Sequence, residues 1–356
     1  MSSHTREDQL PQSPGLGRQQ LVGTIITLVL LVVVFAGIIP QLGDYSQAWT
    51  AIADMGTAGS VALLGSLVLM LVAYVWPFQA ALVGLRFWGG FAVRNVAFAI
   101  SNTVPAGGPI GLATQYSMLL RRGFGVVPTT GALGITSVWN SLLTIALPVV
   151  AAVGLVIAGD ATGPATTVAL VGSLVLVVLV GLLAVVLRSE AVARRVGGWG
   201  DATVSWAARL VRRSVDVSVS DAVLEFRSSV LDVVSRRWGL VTGTSLLQQI
   251  TQFLILWVAL IGVGNGSASV SLLQAFAAFA IGRLFTFTPV VPGGLGAVDA
   301  AMVAILQGFG EPDNDALAAV MVWRAVSLFP QVLIGAVLLL RERRVGRSAA
   351  TAVPGP

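Results

Sequence analysis

The most constraining feature of this sequence is a series of apolar runs that are too long and too hydrophobic to remain in water. Residues 21–39 and 166–187, for example, contain no charged side chain. Each run is long enough to cross a hydrocarbon core of about 30 Å as a helix. Only 10% of all residues are charged, whereas a soluble domain has about 25%. The sequence therefore predicts an all-α polytopic membrane protein.

Several classes of chemistry are excluded by missing residue types. Cysteine is absent, and the single histidine, His4, lies in a polar N-terminal segment. A disulfide framework, a thiol nucleophile, a His-based metal cluster and a Ser-His-Asp triad are therefore excluded. No P-loop or dinucleotide-binding motif occurs either. We expect a protein that is not an enzyme, with no catalytic residues, no metal and no cofactor.

Arginine placement predicts the topology, because cytoplasmic loops collect basic residues near the ends of spans. All 21 basic residues are arginines, and we interpret them as markers of cytoplasmic loops, Arg86 and Arg94 included, and not as a nucleic-acid-binding surface. The six predicted spans are residues 21–39, 58–81, 126–157 (which Pro148 could break), 165–187, 239–262 and 316–340. This topology places both termini in the cytoplasm of a plasma-membrane protein. The transmembrane domain would cover residues 21–341, between disordered tails at 1–20 and 342–356.

Two further apolar segments, residues 95–120 and 271–310, contain helix-breaking turns and have both flanks on the same predicted side. The first has basic flanks and the turn "SNTVPAGGPIG"; the second has flanks without arginine and the turn "TPVVPGGLGAVD". The turn residues are Pro105, Gly107 and Gly108 in the first segment and Pro289, Pro292, Gly293, Gly294 and Gly296 in the second. Since proline and glycine interrupt helices, we predict two opposed re-entrant hairpins. They would relate the two halves as an inverted repeat, an arrangement that builds transporter sites near the membrane midplane.

The one long loop, residues 188–237, is rich in arginine and partly amphipathic. It contains nine arginines, and Val223, Phe226, Val230 and Val234 recur at helical spacing after Ser218. We interpret the loop as cytoplasmic. Its helix would either lie on the anionic inner leaflet or pack against the helix bundle.

Only three charged residues are predicted to lie deep in the membrane: Arg283, Asp299 and Arg324. A charge at the bilayer centre costs at least about 2.5 kcal/mol, so these side chains should pair or face a cavity. Asp299 could neutralise one arginine as a structural pin between helices. The other arginine would keep its charge, and its planar fork suits an anionic head group. The N-terminus of the helix that begins near Leu295 would add its dipole to the same anion site.

The remaining polar candidates each have two interpretations. Asn102, in the first hairpin, could contact a head group or satisfy the backbone of its own turn. Gln248, Gln249 and Gln252 could line a cavity or form hydrogen bonds between helices. The predicted head-group site therefore comprises Arg283, Asp299, Arg324 and Asn102.

Two stretches of the sequence resemble a known family. "AFAIGRLFTFTPVVPGGLGAVDAAMVAIL" (277–305), followed by Arg324, and "SNTVPAGGPIGLATQYSMLLRRG" (101–123) are similar to the lysylphosphatidylglycerol synthase transmembrane region, a flippase-like membrane domain. Two positions depart from the family pattern: Asp299 stands where glutamate is usual, and Leu112 and Ala113 stand where a polar or basic residue is usual.

The resemblance implies a lipid translocase that moves an anionic phospholipid or a lipid-linked intermediate between leaflets. In bifunctional members of the family a soluble C-terminal domain performs lipid aminoacylation, and the short segment after residue 341 leaves no room for it here. We therefore do not expect aminoacyl transfer. The alternative is a non-transporting membrane subunit that supports an envelope glycosyltransferase or another lipid-modifying enzyme.

Overall fold

A computed structural model describes residues 45–103, 107–160, 219–264, 266–287, 294 and 296–351, with isolated positions between 178 and 198. All of them belong to one unit, Asp44–Pro356, while residues 1–43 form another. The predicted span at 21–39 lies outside the described residues, and so does almost all of the span at 165–187.

Every regular element of the described chain is helical, which confirms the all-α prediction. The α-helices are α1 (Tyr45–Asp54), α2 (Gly56–Ala73), α3 (Trp76–Ala81), α4 (Phe87–Thr103), α5 (Gly107–Arg121), α6 (Val126–Ala158), α7 (Val219–Val263), α8 (Leu272–Leu284), α9 (Ala297–Gly308) and α10 (Asp313–Thr351). A short 3-10 helix, Phe285–Phe287, extends α8.

Four helical stretches of the described residues are long and apolar enough to cross a membrane. They are Gly56–Ala81, Val126–Ala158, Arg237–Val263 and Asp313–Glu342. Each coincides with a span that the sequence predicts, so a multi-pass membrane protein is confirmed. The total number of spans and the cytoplasmic position of the termini stay predictions.

Three helices are longer or more continuous than the sequence indicated. Helix α6 continues through the buried Pro148 without a break, because neighbouring helices and local adjustments can satisfy the backbone that a proline frees in a membrane helix. Helix α7 begins at Val219 and joins the predicted amphipathic helix to the following span. Helix α10 continues to Thr351, past the predicted start of a tail at residue 342.

Two pairs of helices occupy the segments predicted as hairpins. Helix α4 packs against α5, and α8 packs against α9. Glycines permit both approaches: a Cβ on Gly111 would collide with Ser101, and one on Gly282 would collide with Met302. The break between α4 and α5 falls on residues outside the described part of the chain. Entry of each pair into the membrane from one side stays a prediction.

Helix α10 contacts both pairs. Helix α10 packs along α4 and also contacts α7 and α9, while α7 contacts α2 and α6. The approach of α10 to α4 depends on Gly335, where a Cβ would collide with the carbonyl oxygen of Asn95. This packing brings α4, α8, α9 and α10 around one region of the molecule.

A buried carboxylate connects two of the loops at the ends of these helices. Glu311 is 3% exposed, and its Oε2 accepts the backbone N–H groups of Ser269 (3.0 Å) and Val270 (3.1 Å). Glu311 is the first of three acidic residues in the stretch "EPDND" (311–315). It is an internal anchor, which fixes the entrance of α8 relative to that of α10.

Candidate functional site

A cavity of about 300 Å³ lies among the described helices, and residues from α2 to α10 form its wall. Most of the lining side chains are polar or charged, although 56% of the whole sequence is hydrophobic. Both helix pairs contribute: Asn102 and Gln115 come from the first pair, and Arg283 and Val298 from the second. The folding of the chain thus concentrates polar groups from distant segments in one place.

Asp299 and Arg324 form a buried ion pair at this cavity. Arg324 Nε donates to Asp299 Oδ1 at 2.7 Å, and the two residues are 8% and 7% exposed. The other carboxylate oxygen, Oδ2, accepts the N–H of Gly296 at 2.9 Å. Asp299 therefore caps the N-terminus of α9 and ties it to α10. Of the two predicted partners, the structure selects Arg324.

Arg283, the second predicted arginine, has neutral neighbours. It donates a hydrogen bond to the side-chain oxygen of Gln252, and its guanidinium carbon lies 5.6 Å from the ring centroid of Phe279. No carboxylate of the described residues pairs with it. Arg283 and Arg324 both line the cavity, so the predicted surplus of positive charge is present there.

Arg94 adds a third guanidinium, which the sequence did not predict at the cavity. It was interpreted as the cytoplasmic flank of a hairpin, but it lies within α4 and lines the cavity. Its guanidinium carbon lies 4.1 Å from the ring centroid of Tyr74, and its Nε donates to the Tyr74 carbonyl at 3.4 Å. The available signal was the apolar sequence on both sides of Arg94, "FWGGFAV" and "NVAFAI". The predicted hairpin that follows Arg94 indicated a cytoplasmic flank instead.

Asn102 and two of the glutamines also line the cavity. Asn102 Nδ2 donates to the carbonyl of Phe98 at 2.9 Å, so this side chain satisfies its own helix and still borders the cavity. Gln248 and Gln252 line the cavity as well. Gln249 instead donates to Asn140 Oδ1 at 3.2 Å. Gln248 thus lines the cavity, Gln249 forms a hydrogen bond between helices, and Gln252 does both, since it also accepts from Arg283.

The turn glycines have different roles in the two pairs. Gly107 and Gly108 belong to the first turn of α5, whereas Pro105 lies outside the described residues. In the second pair Gly294 and Gly296 have positive φ angles of 66° and 81°, which side chains rarely adopt. These angles bring the chain into α9 where Asp299 can cap it. Pro289, Pro292 and Gly293 are outside the described residues.

The fold and the cavity define a class, the multi-pass helical membrane proteins with an arginine-lined polar cavity. The sequence model of the lysylphosphatidylglycerol synthase TM region matches residues 20–335, and the chain belongs to this family. A UPF0104 membrane protein from Methanothermobacter thermautotrophicus is 30% identical over 162 residues. That match covers 45% of this chain and 48% of the relative, so the chain spans about half the length of the curated relative it matches.

The structure shows what the two departures from the family pattern do. The shorter carboxylate of Asp299 still reaches Arg324 while it caps Gly296. Leu112 and Ala113 lie on the exposed face of α5, whereas Gln115 on the same helix is buried at the cavity. Neither departure removes a polar group from the described cavity wall.

Proposed function

We propose that this protein is a lipid translocase that moves an anionic phospholipid or a lipid-linked intermediate between the two leaflets. The observation that supports it is the unequal number of charges at the cavity. Three guanidiniums, those of Arg94, Arg283 and Arg324, line the cavity, and one carboxylate, that of Asp299, pairs with one of them.

The charge surplus needs an anion because unpaired charges are costly at membrane depth. The guanidiniums of Arg94 and Arg283 have an aromatic ring, a backbone carbonyl or an amide as neighbours, none of which carries a negative charge. A phosphate binds a guanidinium through two parallel hydrogen bonds. A cavity of about 300 Å³ is at the lower end of the range for small-molecule sites. We infer that it holds the head group while the acyl chains stay in lipid.

The two helix pairs supply the elements that would move. Interrupted helices at the interface of two halves are how many secondary transporters alternate access around a central site. Gly111 and Gly282 let each pair pack closely, so a pair can shift as one body. Since the sequence contains no nucleotide-binding motif, transport would follow a gradient or couple to ions or to the membrane potential.

We place the protein in the plasma membrane with both termini in the cytoplasm. In that orientation the nine arginines of residues 188–237 face the anionic inner leaflet, which attracts basic segments by about 1 kcal/mol per residue. The protein acts as a transporter and not as an enzyme, and an envelope-synthesis enzyme is a candidate partner.

The proposal is tested by lipid movement in proteoliposomes. Purified protein is reconstituted with fluorescent phosphatidylglycerol, and dithionite is added to quench the label in the outer leaflet. We expect the wild type to expose inner-leaflet label that protein-free vesicles protect. Arg283→Gln should slow this exposure by about 10- to 100-fold, the loss of one charge-assisted hydrogen bond of about 1.5–3 kcal/mol.

The control is Arg194→Gln, which removes an exposed arginine paired with Glu190. It should leave the rate unchanged. If the wild type moves no lipid, and deletion of its gene removes an envelope glycan, the protein is a non-transporting subunit that supports a glycosyltransferase.

A further inference from the structure

The residues that line the cavity include several buried nitrogen atoms without an acceptor. Four buried lining atoms have no hydrogen-bond partner among the described residues: Arg283 Nε, Arg324 Nη2, Gln115 Nε2 and Gln331 Nε2. All four are donors. Gln115, Arg324 and Gln331 are 6%, 8% and 1% exposed, so bulk water does not satisfy these donors. A guanidinium has no acceptor capacity in any rotamer, so a ligand must supply acceptors.

The described cavity wall also lacks a carboxylate that could hold a cation. No aspartate or glutamate is among its described lining residues. Asp299, which lies behind Arg324, has both oxygens engaged, one by Arg324 Nε and the other by the N–H of Gly296. An ammonium group in the cavity would therefore meet three guanidiniums, of which Asp299 neutralises one, and no free carboxylate of the described wall. Like charges brought together in a desolvated site repel strongly.

We propose that the cavity selects head groups made of a phosphodiester and a neutral hydroxylated remainder, such as glycerol or a sugar, and rejects aminoacylated head groups. This inference rests on the proposed function, because it takes the lipid head group to be the occupant of the cavity. The phosphate accepts from Arg283 and Arg324. The hydroxyl groups pair with the polar wall, where Ser137, Asn140 and Ser245 are available.

Binding to purified protein in detergent tests this selectivity without transport. The probes are phosphatidylglycerol, lysyl-phosphatidylglycerol with the same acyl chains, and free glycerol phosphate. Native mass spectrometry counts the bound lipids, and a titration of thermal stability gives affinities. We expect phosphatidylglycerol to bind more tightly than the lysyl derivative by about tenfold or more.

Each other outcome overturns a defined part of the proposal. Equal or tighter binding of lysyl-phosphatidylglycerol, or no binding of either lipid, refutes the selectivity. Glycerol phosphate that binds as tightly as the lipid shows a site for a small free anion. Selective binding without movement of lipid in proteoliposomes refutes the proposed function and leaves the selectivity in place. Movement of both lipids at equal rates refutes the selectivity and leaves the proposed function in place.

A negative charge introduced into the cavity wall should change the relative affinities for phosphatidylglycerol and its lysyl derivative. Gln331→Glu replaces an unpartnered donor with a carboxylate, so it should weaken binding of phosphatidylglycerol and strengthen that of the lysyl derivative. Gln115→Glu makes the same change on α5, whereas Gln331 lies on α10, and it provides the test if Gln331→Glu does not fold. The control is Gln274→Glu, at a helix cap where glutamate can still accept the N–H of Ser271. An unchanged ratio of affinities in both cavity variants refutes the proposal.

Discussion

Gln252 accepts a hydrogen bond from Arg283, so its replacement by glutamate tests whether the surplus positive charge binds the anion. Glutamate and glutamine have nearly the same shape, and Gln252→Glu turns a neutral acceptor into a charged one at the same position. The backbone carbonyl of Gln252 would still accept the indole N–H of Trp323, at 3.1 Å. Arg283 would gain a carboxylate partner, as Arg324 already has in Asp299.

The expected loss of affinity follows from the change in net charge. The three guanidiniums of the wall and the carboxylate of Asp299 sum to +2, and Gln252→Glu lowers this sum to +1. One unit charge about 5 Å from the phosphate contributes about 3 kcal/mol at an effective dielectric constant of about 20. We therefore expect an affinity for phosphatidylglycerol that is about 100-fold weaker.

The stability of the folded protein should not decrease in this variant. The new carboxylate attracts Arg283, but it must also lose its own hydration, and the two effects nearly cancel in buried pairs. We expect the free energy of unfolding to be unchanged or higher by about 1 kcal/mol.

Lipid titrations and thermal unfolding in the same detergent measure the two quantities on one preparation. Gln274→Glu is the control: it adds the same charge at the N-terminal cap of α8, and its affinity should equal that of the wild type. If Gln252→Glu retains wild-type affinity in a folded protein, the surplus charge does not bind the lipid and the reasoning is refuted.

Three other substitutions test the packing and the ion pair by thermal unfolding in detergent. Gly335→Ala should destabilise the fold by about 1–3 kcal/mol, because the added methyl group is too large for the close contact of α10 with α4. Its control, Gly243→Ala, meets open space and should cause no loss of stability. Equal effects of the two substitutions would contradict this explanation. Glu311→Gln should cost about 1–2 kcal/mol, since its two backbone hydrogen bonds lose their charge assistance, and an unchanged melting temperature would contradict the anchor. Asp299→Asn should lower the free energy of unfolding by about 3–5 kcal/mol, because it leaves Arg324 buried without a counter-charge. The same substitution should tighten anion binding. Weaker binding would contradict the electrostatic argument.

Hydrophobicity alone was sufficient to predict the four described spans. The predicted span at 58–81 and the observed Gly56–Ala81 differ by two residues at one end, because an apolar helix must cover the thickness of the membrane. Helix ends outside the apolar region were less predictable. Thr351 follows an arginine-rich segment in which no change in hydrophobicity marks the end of α10.

The site was predictable in its components but not in its pairing. Charge in an apolar context identified Arg283, Asp299 and Arg324 without any structure. The partner of Asp299 depended on how α9 packs against α8 and α10, and sequence spacing carries no information on that choice. Arg94 was missed because a rule based on arginine position does not distinguish a loop from a cavity. Its partner, Tyr74, lies on the preceding helical segment.

The identity of each arginine's partner determines what that arginine can do. Asp299 neutralises Arg324 and fixes α9 to α10, so this pair supports the fold and adds no net charge to the cavity. Arg283 and Arg94 are held by an amide, a backbone carbonyl and aromatic faces, which orient a guanidinium and leave its charge intact. A carboxylate at either position would stabilise the isolated protein at the expense of anion binding. The neutral partners therefore keep the cavity positively charged, and this charge is the property on which the proposed head-group site depends.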